Sequence, residues 1–287
     1  MKPFDNILFP VDFSVPCTAI APYVKRASDI FGATVTLAHV FDLGSSSGLE
    51  LYVRPFPEVL ADHHTAARNK LNSYLTQEFP LTGHRRIVVS GDVATHLVEL
   101  ARTGGFDLII MPTHSGRFRS ALLGSTTAKV LHRADCPVLT TQHAETMTPR
   151  SLRHREWVCG IGLGPYSDCI LRFASAAAAV AGATLTAIHV VPGHEADGPI
   201  QLNLDEAHFS AASAARLELD KVQEASGCPT PVHIALGPVR QVLLEAVRRR
   251  DADVLVIGRG PHEGSPGRLQ DFTYAMVRDS PCPVVSL

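Results

Sequence analysis

The sequence predicts an α/β protein of two tandem domains, each a doubly wound sheet of five parallel strands, and three observations carry that prediction. The first is an internal repeat: GATVTLAHV at residues 32–40 returns as GATLTAIHV at residues 182–190, six of nine positions identical at an offset of 150. Downstream, FDLIIMP (106–112) matches ADVLVIG (252–258) and ADCPVL (134–139) matches SPCPVV (280–285), both at an offset of 146. The second is the alternation of short apolar runs with segments of helical apolar spacing, the pattern of βαβ units, which implies parallel strands covered by helices on both faces. The third is the near-continuous apolar character of LIIM and VLVI, expected of strands buried on both faces.

The elements follow in order. Residues 6–11 read as a strand and 17–31 as a helix, which Gly32 ends as a C-terminal cap. Strands at 34–41 and 86–90 flank the loop 42–57 and a helix from about 58 to 79. A helix at 94–102, a strand at 108–112, a helix at 126–133 and a strand at 137–141 complete the first half, and the second repeats the plan over 157–287. The drop in offset from 150 to 146 places a net four-residue deletion between the second and third strands of the second copy, where loop length is least constrained. The expected domains are 1–143 and 154–287, joined by the polar stretch 143–156.

Composition narrows the function classes. With 45% hydrophobic and 19% charged residues and a formal charge of -2, the chain has no global field for nucleic acid or an anionic membrane. No apolar run approaches the roughly 18 residues of a membrane span, and residues 1–14 lack a secretory pattern, so a cytoplasmic location is expected. Six scattered cysteines without a C-x-x-C pair indicate neither zinc nor a disulfide framework. Cys136 and Cys282, each before a proline, are expected to be buried small hydrophobes.

The segment 111–138, MPTHSGRFRSALLGSTTAKVLHRADCPV, follows an apolar strand and places Gly124-Ser125 where a helix should begin. A helix start carries unpaired N–H groups and partial positive charge, which suits an anion. Arg117, Arg119, Lys129 and Arg133 give residues 112–134 a formal charge of +4 with no carboxylate, although Lys129 and Arg133 also suit the C-terminal half of their own helix. Open α/β sheets bind ligands outside the carboxyl ends of the strands, where strand order reverses. If the strands ending at Asp12 and at Met111-Pro112 are neighbours there, Asp12 faces the glycine loop, with a nucleotide's sugar or metal beside Asp12 and its phosphates near Gly124.

ILFPVDFS, HVF, the MPTHSGRFRSALLGST loop and the closing CPV together resemble the universal stress protein family in a tandem form, over nearly the whole chain. The resemblance implies an adenine nucleotide alpha hydrolase-like fold with strand order 3-2-1-4-5, a cytoplasmic stress-response role, dimerisation through the last strand, and a bound ATP or AMP, with Mg as an option through Asp12. Carried over by position, Pro10, Val11, Asp12 and Val40 would meet adenine and ribose, and Gly124, Ser125 and Thr126 the phosphates. The family loop G-x-x-G-x9-G-[ST] follows Met111, but here Pro112 stands at its first glycine and Ser115 at its second, and eight residues separate Ser115 from Gly124. Gly116 could substitute by a one-residue shift. Proline has no N–H, so the cradle has at most the donors of residues 113–116, with Thr113, Ser115 and Gly116 among them, and the helix start.

Bland readings stand beside these. Gly124-Ser125 could be a turn and an N-cap, and Asp12 could cap the following helix. His39 and His189, at matched strand positions, read as packing or backbone hydrogen bonds. His63-His64 reads as a solvated helix face. In the second copy Asp12 becomes Gly162, while Gly124, Ser125 and Thr126 become Gln270, Asp271 and Phe272. Asp271 at the helix start would put negative charge where phosphates would lie, and residues 258–280 carry no net charge. One nucleotide per chain, in the first domain, is therefore expected. The alternatives are a ligand-free interaction scaffold and a slow ATP hydrolase, for which no G-x-x-x-x-G-K-[ST] loop is present. The closing strands would pair the two domains as an intramolecular pseudo-dimer, and a homodimer of chains stays open.

Overall fold

Alternation of buried strands and one-sided helices organises the chain, and the computed structural model describes residues 3–42, 44, 55–113, 123–142, 152–192, 204–259 and 268–287, with the side chains of 204–209 and 268–271 left aside. Two compact units emerge, residues 4–147 and 148–287.

The first unit runs β1 (Asn6–Pro10), α1 (Val15–Phe31), β2 (Thr34–Phe41), α2 (Phe56–Ser73), β3 (Arg85–Ser90), α3 (Val93–Thr103), β4 (Leu108–Pro112), α4 (Ser125–Arg133) and β5 (Val138–Thr141). Its strands lie in the order β3-β2-β1-β4-β5 and the described pairs are parallel. Gly32 caps α1 at φ 60, a left-handed conformation that glycine adopts without a Cβ clash. Every residue of β4 is buried, as the LIIM run predicts. The carboxylate of Asp107, just before β4, accepts the N–H groups of Asp5 (2.7 Å) and Asn6 (3.0 Å) and so fixes β4 against the start of β1.

The second unit repeats this as β6 (Glu156–Gly160), α5 (Ser167–Ala181), β7 (Thr184–Val191), α6 (Leu204–Ser226), β8 (Val232–Leu236), α7 (Val239–Arg250), β9 (Val254–Ile257), α8 (Arg268–Asp279) and β10 (Val284–Ser286), in the order β8-β7-β6-β9-β10. The repeat extends to single hydrogen bonds. Asp253 accepts from Arg155 and Glu156 as Asp107 does from Asp5 and Asn6, and Gly182 caps α5 at φ 68. Ala174, Ala177 and Ala178 are buried along α5, whose alanine run packs closely. Register also places the deletion. Ala38 pairs with Ile87 while Ile188 pairs with His233, so the offset has fallen from 150 to 146 by the third strand of the second unit.

Several boundaries differ from expectation. The helix expected to reach residue 79 stops at Ser73, and Arg86 on β3 holds the helix end and the turn that follows: Nη1 donates to Leu71 O (2.6 Å) and Tyr74 O (2.9 Å), and Nη2 to Phe79 O (2.7 Å). Phe79 turns inward instead and packs beside Phe9, their ring centroids 6.0 Å apart. Glu156, counted with the linker, belongs to β6. Cys282 is buried as expected, but Cys136 is only half-buried. Among the described residues no helix is long and apolar enough to cross a membrane.

Candidate functional site

At the centre of the first sheet, β1 and β4 are neighbours, and the chain leaves β1 toward β2 on one side and enters β4 from β3 on the other. With right-handed crossovers this puts α1 and α2 on one face and α3 and α4 on the opposite face, and opens a crevice between the strand ends. The crevice has a volume of about 240 Å³ and is lined by Pro10, Val11, Asp12, Val40, Met111, Pro112, Gly124, Ser125 and Thr126, all singled out in the sequence. Ala38, Val93, Leu97 and Thr127 complete the lining and were missed. Their signal was periodicity: Val93 and Leu97 are one helical turn apart, and Ala38 shares the strand face of Val40. Ser115, Gly116, Arg117 and Arg119 lie outside the described residues.

The floor is apolar and the rim polar. Val11, Ala38, Val40, Leu97 and Met111 are all buried, and the Val11 N–H is engaged with Ala38 O at 2.8 Å. At the rim, exposed Asp12 accepts the Ser14 N–H at 2.9 Å through Oδ1. Asp12 does not cap α1; Ser14 does, accepting the Cys17 N–H at 3.2 Å. Opposite stands the start of α4. Its cap is Gly124, not Ser125, and makes no side-chain capping bond, so the N–H groups of Ser125, Thr126 and Thr127 begin the helix uncapped.

Two expected donors are corrected. The Thr113 N–H is held by Thr141 O (3.0 Å), and the Gly124 N–H by Thr113 O (2.9 Å), so neither is offered to a ligand. Pro112 has a geometric consequence. Ile109 and Thr113 donate toward β5, so strand alternation turns the imide nitrogen of Pro112 toward β1, where a donor is missing at the crevice. The Pro112 carbonyl accepts the Thr127 hydroxyl at 3.2 Å and ties the strand end to α4. Of the basic residues, Lys129 lies 3.6 Å from Asp92, the cap of α3, and Arg133 donates to Thr95 at 3.4 Å. The Thr95 hydroxyl and N–H, with Lys129 nearby, hold Asp92 down at about 2.

Behind the rim, His39 Nδ1–H donates to Val11 O at 2.7 Å, matched by His189 to Ile161 O at 2.8 Å, the structural role expected of both. Burial keeps the His39 imidazole below its ordinary value despite that carbonyl, so the folded state holds it neutral. A folded value below the unfolded one means that the unfolded chain takes up the proton first as pH falls. Stability from this site is complete above about 6.5 and declines below it. His39→Asn, which keeps a donor for Val11 O, is expected to flatten this decline in chemical denaturation curves compared between neutral and mildly acid pH. Burial, then the Asp12 charge, push the Cys17 thiol up to about 12, which leaves it inert. His63 and His64 are half-buried beside Phe41, each with ring centroids 6.4 Å from it, rather than on a fully solvated face.

In the second unit the same crevice is changed. At the position of Asp12 stands Gly162, whose carbonyl accepts Ser167 Oγ at 2.9 Å. At that of Pro10 stands Gly160, where a Cβ would come within 2.9 Å of Leu243 Cδ1, so α7 lies directly on the strand end. Asp271 is not at the helix start: α8 begins at Arg268. Relative to α4, the helix extends three residues further toward its N-terminus, about 4.5 Å at 1.5 Å per residue.

Fold and crevice define a class: a doubly wound α/β domain of order 3-2-1-4-5, present twice, with a crevice at the strand switch point in the first copy. The model of the universal stress protein family matches residues 3–142 and again 155–286. The chain belongs to the universal stress protein family, in a tandem two-domain form. Universal stress protein MJ0577 of Methanocaldococcus jannaschii is 30% identical over 152 residues, which span 47% of this chain and 93% of that protein. Universal stress protein A homolog 1 of Coxiella burnetii is 25% identical over 142 residues, 47% of this chain and 97% of its own. The crystal structure of a universal stress protein from Archaeoglobus fulgidus aligns with 98% of this chain and 95% of its own at a TM-score of 0.69 and 19% identity, a likeness of fold across both domains.

Proposed function

We propose that the first domain, residues 1–143, binds one adenine nucleotide, ATP or AMP, and that the protein is a cytoplasmic stress-response module whose surfaces report that occupancy. The second domain, residues 154–287, holds none. The observation that carries this reading is the uncapped start of α4 facing the Asp12 rim across an apolar floor. The floor suits a base, the Asp12 carboxylate a ribose hydroxyl, and the Ser125 and Thr126 N–H groups a phosphate. An Mg carried on the phosphates would find the Asp12 carboxylate in the lining of the same crevice. The same reading pairs the two domains as a pseudo-dimer and allows a homodimer of chains, which light scattering measures.

Two observations favour a ligand-free scaffold: Pro112 removes a donor, and about 240 Å³ is below the roughly 300–1,000 Å³ of small-molecule sites. Mass spectrometry of the purified protein after denaturation separates the readings. Release of ATP or AMP is expected; no released nucleotide, together with no thermal shift on adding ATP, supports the scaffold. Pro112→Gly would restore a donor and widen the floor. It is expected to tighten ATP binding by about 2- to 10-fold, the value of one net hydrogen bond, in calorimetric titration.

A further inference from the structure

The residue after Asp12 has the backbone of a glycine and the side chain of an aromatic. Phe13 sits at φ 62, a left-handed conformation that is an outlier for a bulky side chain and persists only where its surroundings impose it. Those surroundings are on the α1/α2 side of the sheet, away from the crevice. The Phe13 ring lies against His39 (centroids 4.6 Å) and stands edge-on to Tyr74 (5.1 Å), with Lys70 Nζ 4.2 Å from its centroid. Each wall is itself fixed. His39 donates to Val11 O at 2.7 Å, and the Tyr74 and Thr18 hydroxyls share a hydrogen bond of 2.7 Å that ties the end of α2 to α1. Tyr74 is also held from behind, since its carbonyl accepts from Arg86.

The second domain supplies a comparison within one chain. There Leu163 takes the place of Phe13, has no positive φ and is 44% exposed, between Gly162 and Gly164. Strain and aromatic anchor thus occur only in the copy with a carboxylate at the strand end. Phe13 is bonded to Asp12, and the turn it forces lets Asp12 Oδ1 close on the Ser14 N–H.

The geometry points to Phe13 as a positioning residue: its ring, clamped by His39, Tyr74 and Lys70, holds the backbone turn that aims the Asp12 carboxylate at the ribose hydroxyls of the nucleotide. This rests on the nucleotide reading above. Phe13 touches no ligand itself, so removing its ring should weaken recognition of the ribose rather than of base or phosphate.

The test is calorimetric titration of the full chain with ATP and with 2′,3′-dideoxy-ATP. The wild type should prefer ATP by about tenfold or more, the value of a hydrogen bond to a charged group. Phe13→Ala should bring that ratio close to one, and Phe13→Tyr should keep it. If Phe13→Ala does not fold, Tyr74→Leu, which removes one wall of the clamp, should lower the ratio in the same way. An undiminished ratio in the folded variant overturns the positioning role and leaves the nucleotide reading intact. A wild type that binds neither nucleotide overturns both.

Discussion

Ser125→Asp is expected to weaken nucleotide binding severely while leaving the ligand-free fold as stable as the wild type or more so. The two signs come from one feature. Ser125 is the first residue of α4, and its cap Gly124 supplies no side-chain acceptor, so the first N–H groups of the helix receive no side-chain cap. An aspartate there would complement the helix dipole, worth about 0.3–1 kcal/mol. It would also occupy the donors and repel a phosphate. Loss of charge-assisted bonds of about 1.5–3 kcal/mol predicts at least a 10- to 100-fold fall in ATP affinity. Thermal melts with and without ATP read both effects. A variant that melts at the wild-type temperature yet still shifts with ATP would show that the helix start is not the phosphate site.

The second large effect concerns stability. Arg86→Met removes the guanidinium that gathers the carbonyls of Leu71 and Tyr74 at the end of α2 and of Phe79 in the turn that follows. Hydrogen bonds to a charged group at about 1.5–3 kcal/mol each, offset by the cost of keeping a half-buried guanidinium, give an expected loss of about 3 kcal/mol. Burial holds that guanidinium below its ordinary value, the mark of the offsetting cost. The loss should fall on the first domain alone. The single tryptophan, Trp157, lies in β6, so its fluorescence in urea follows the second domain and should not move. Far-UV circular dichroism should show an earlier transition, and hydrogen exchange should quicken at the end of α2. In the second domain Val232 replaces Arg86, and the equivalent helix end is held from α5 instead, where Arg172 donates to Ser226 O and Ala225 O. The two copies use an arginine for one task from different elements.

That contrast shows what was legible in the sequence. The repeat, the apolar strands and the glycine at the end of α1 each act locally or through periodicity, so order and type of element could be read directly. Arg86 could not be read, because its partners lie 7 to 15 residues away and nothing in a lone arginine announces three carbonyls. The helix expected to continue to Phe79 was misjudged for the same reason: its apolar spacing persists after tertiary contacts have ended it. At the crevice, strand ends and helix start were legible because they fall at the switch point of the sheet. The engagement of the Thr113 and Gly124 N–H groups was not, since it depends on how β4, β5 and α4 meet. Phe13 was passed over because φ is invisible in a residue name, and phenylalanine argues against a left-handed turn.

The second domain teaches the same lesson in reverse. Its lost carboxylate was evident from Gly162, but the seat of Asp271 was misplaced, because the longer α8 starts at Arg268. The proposal that this domain holds no nucleotide rests instead on two other features. Gly160 lets Leu243 close over the strand end, and α8 extends three residues beyond the point where α4 begins in the first domain.

One titration tests the central claim most directly: calorimetry of the full chain with ATP, repeated on Asp12→Ala and on Ser125→Asp. One site per chain is expected in the wild type, greatly weakened by either substitution. Two sites per chain, no site at all, or binding that survives both substitutions unchanged would contradict a single nucleotide held between Asp12 and the start of α4.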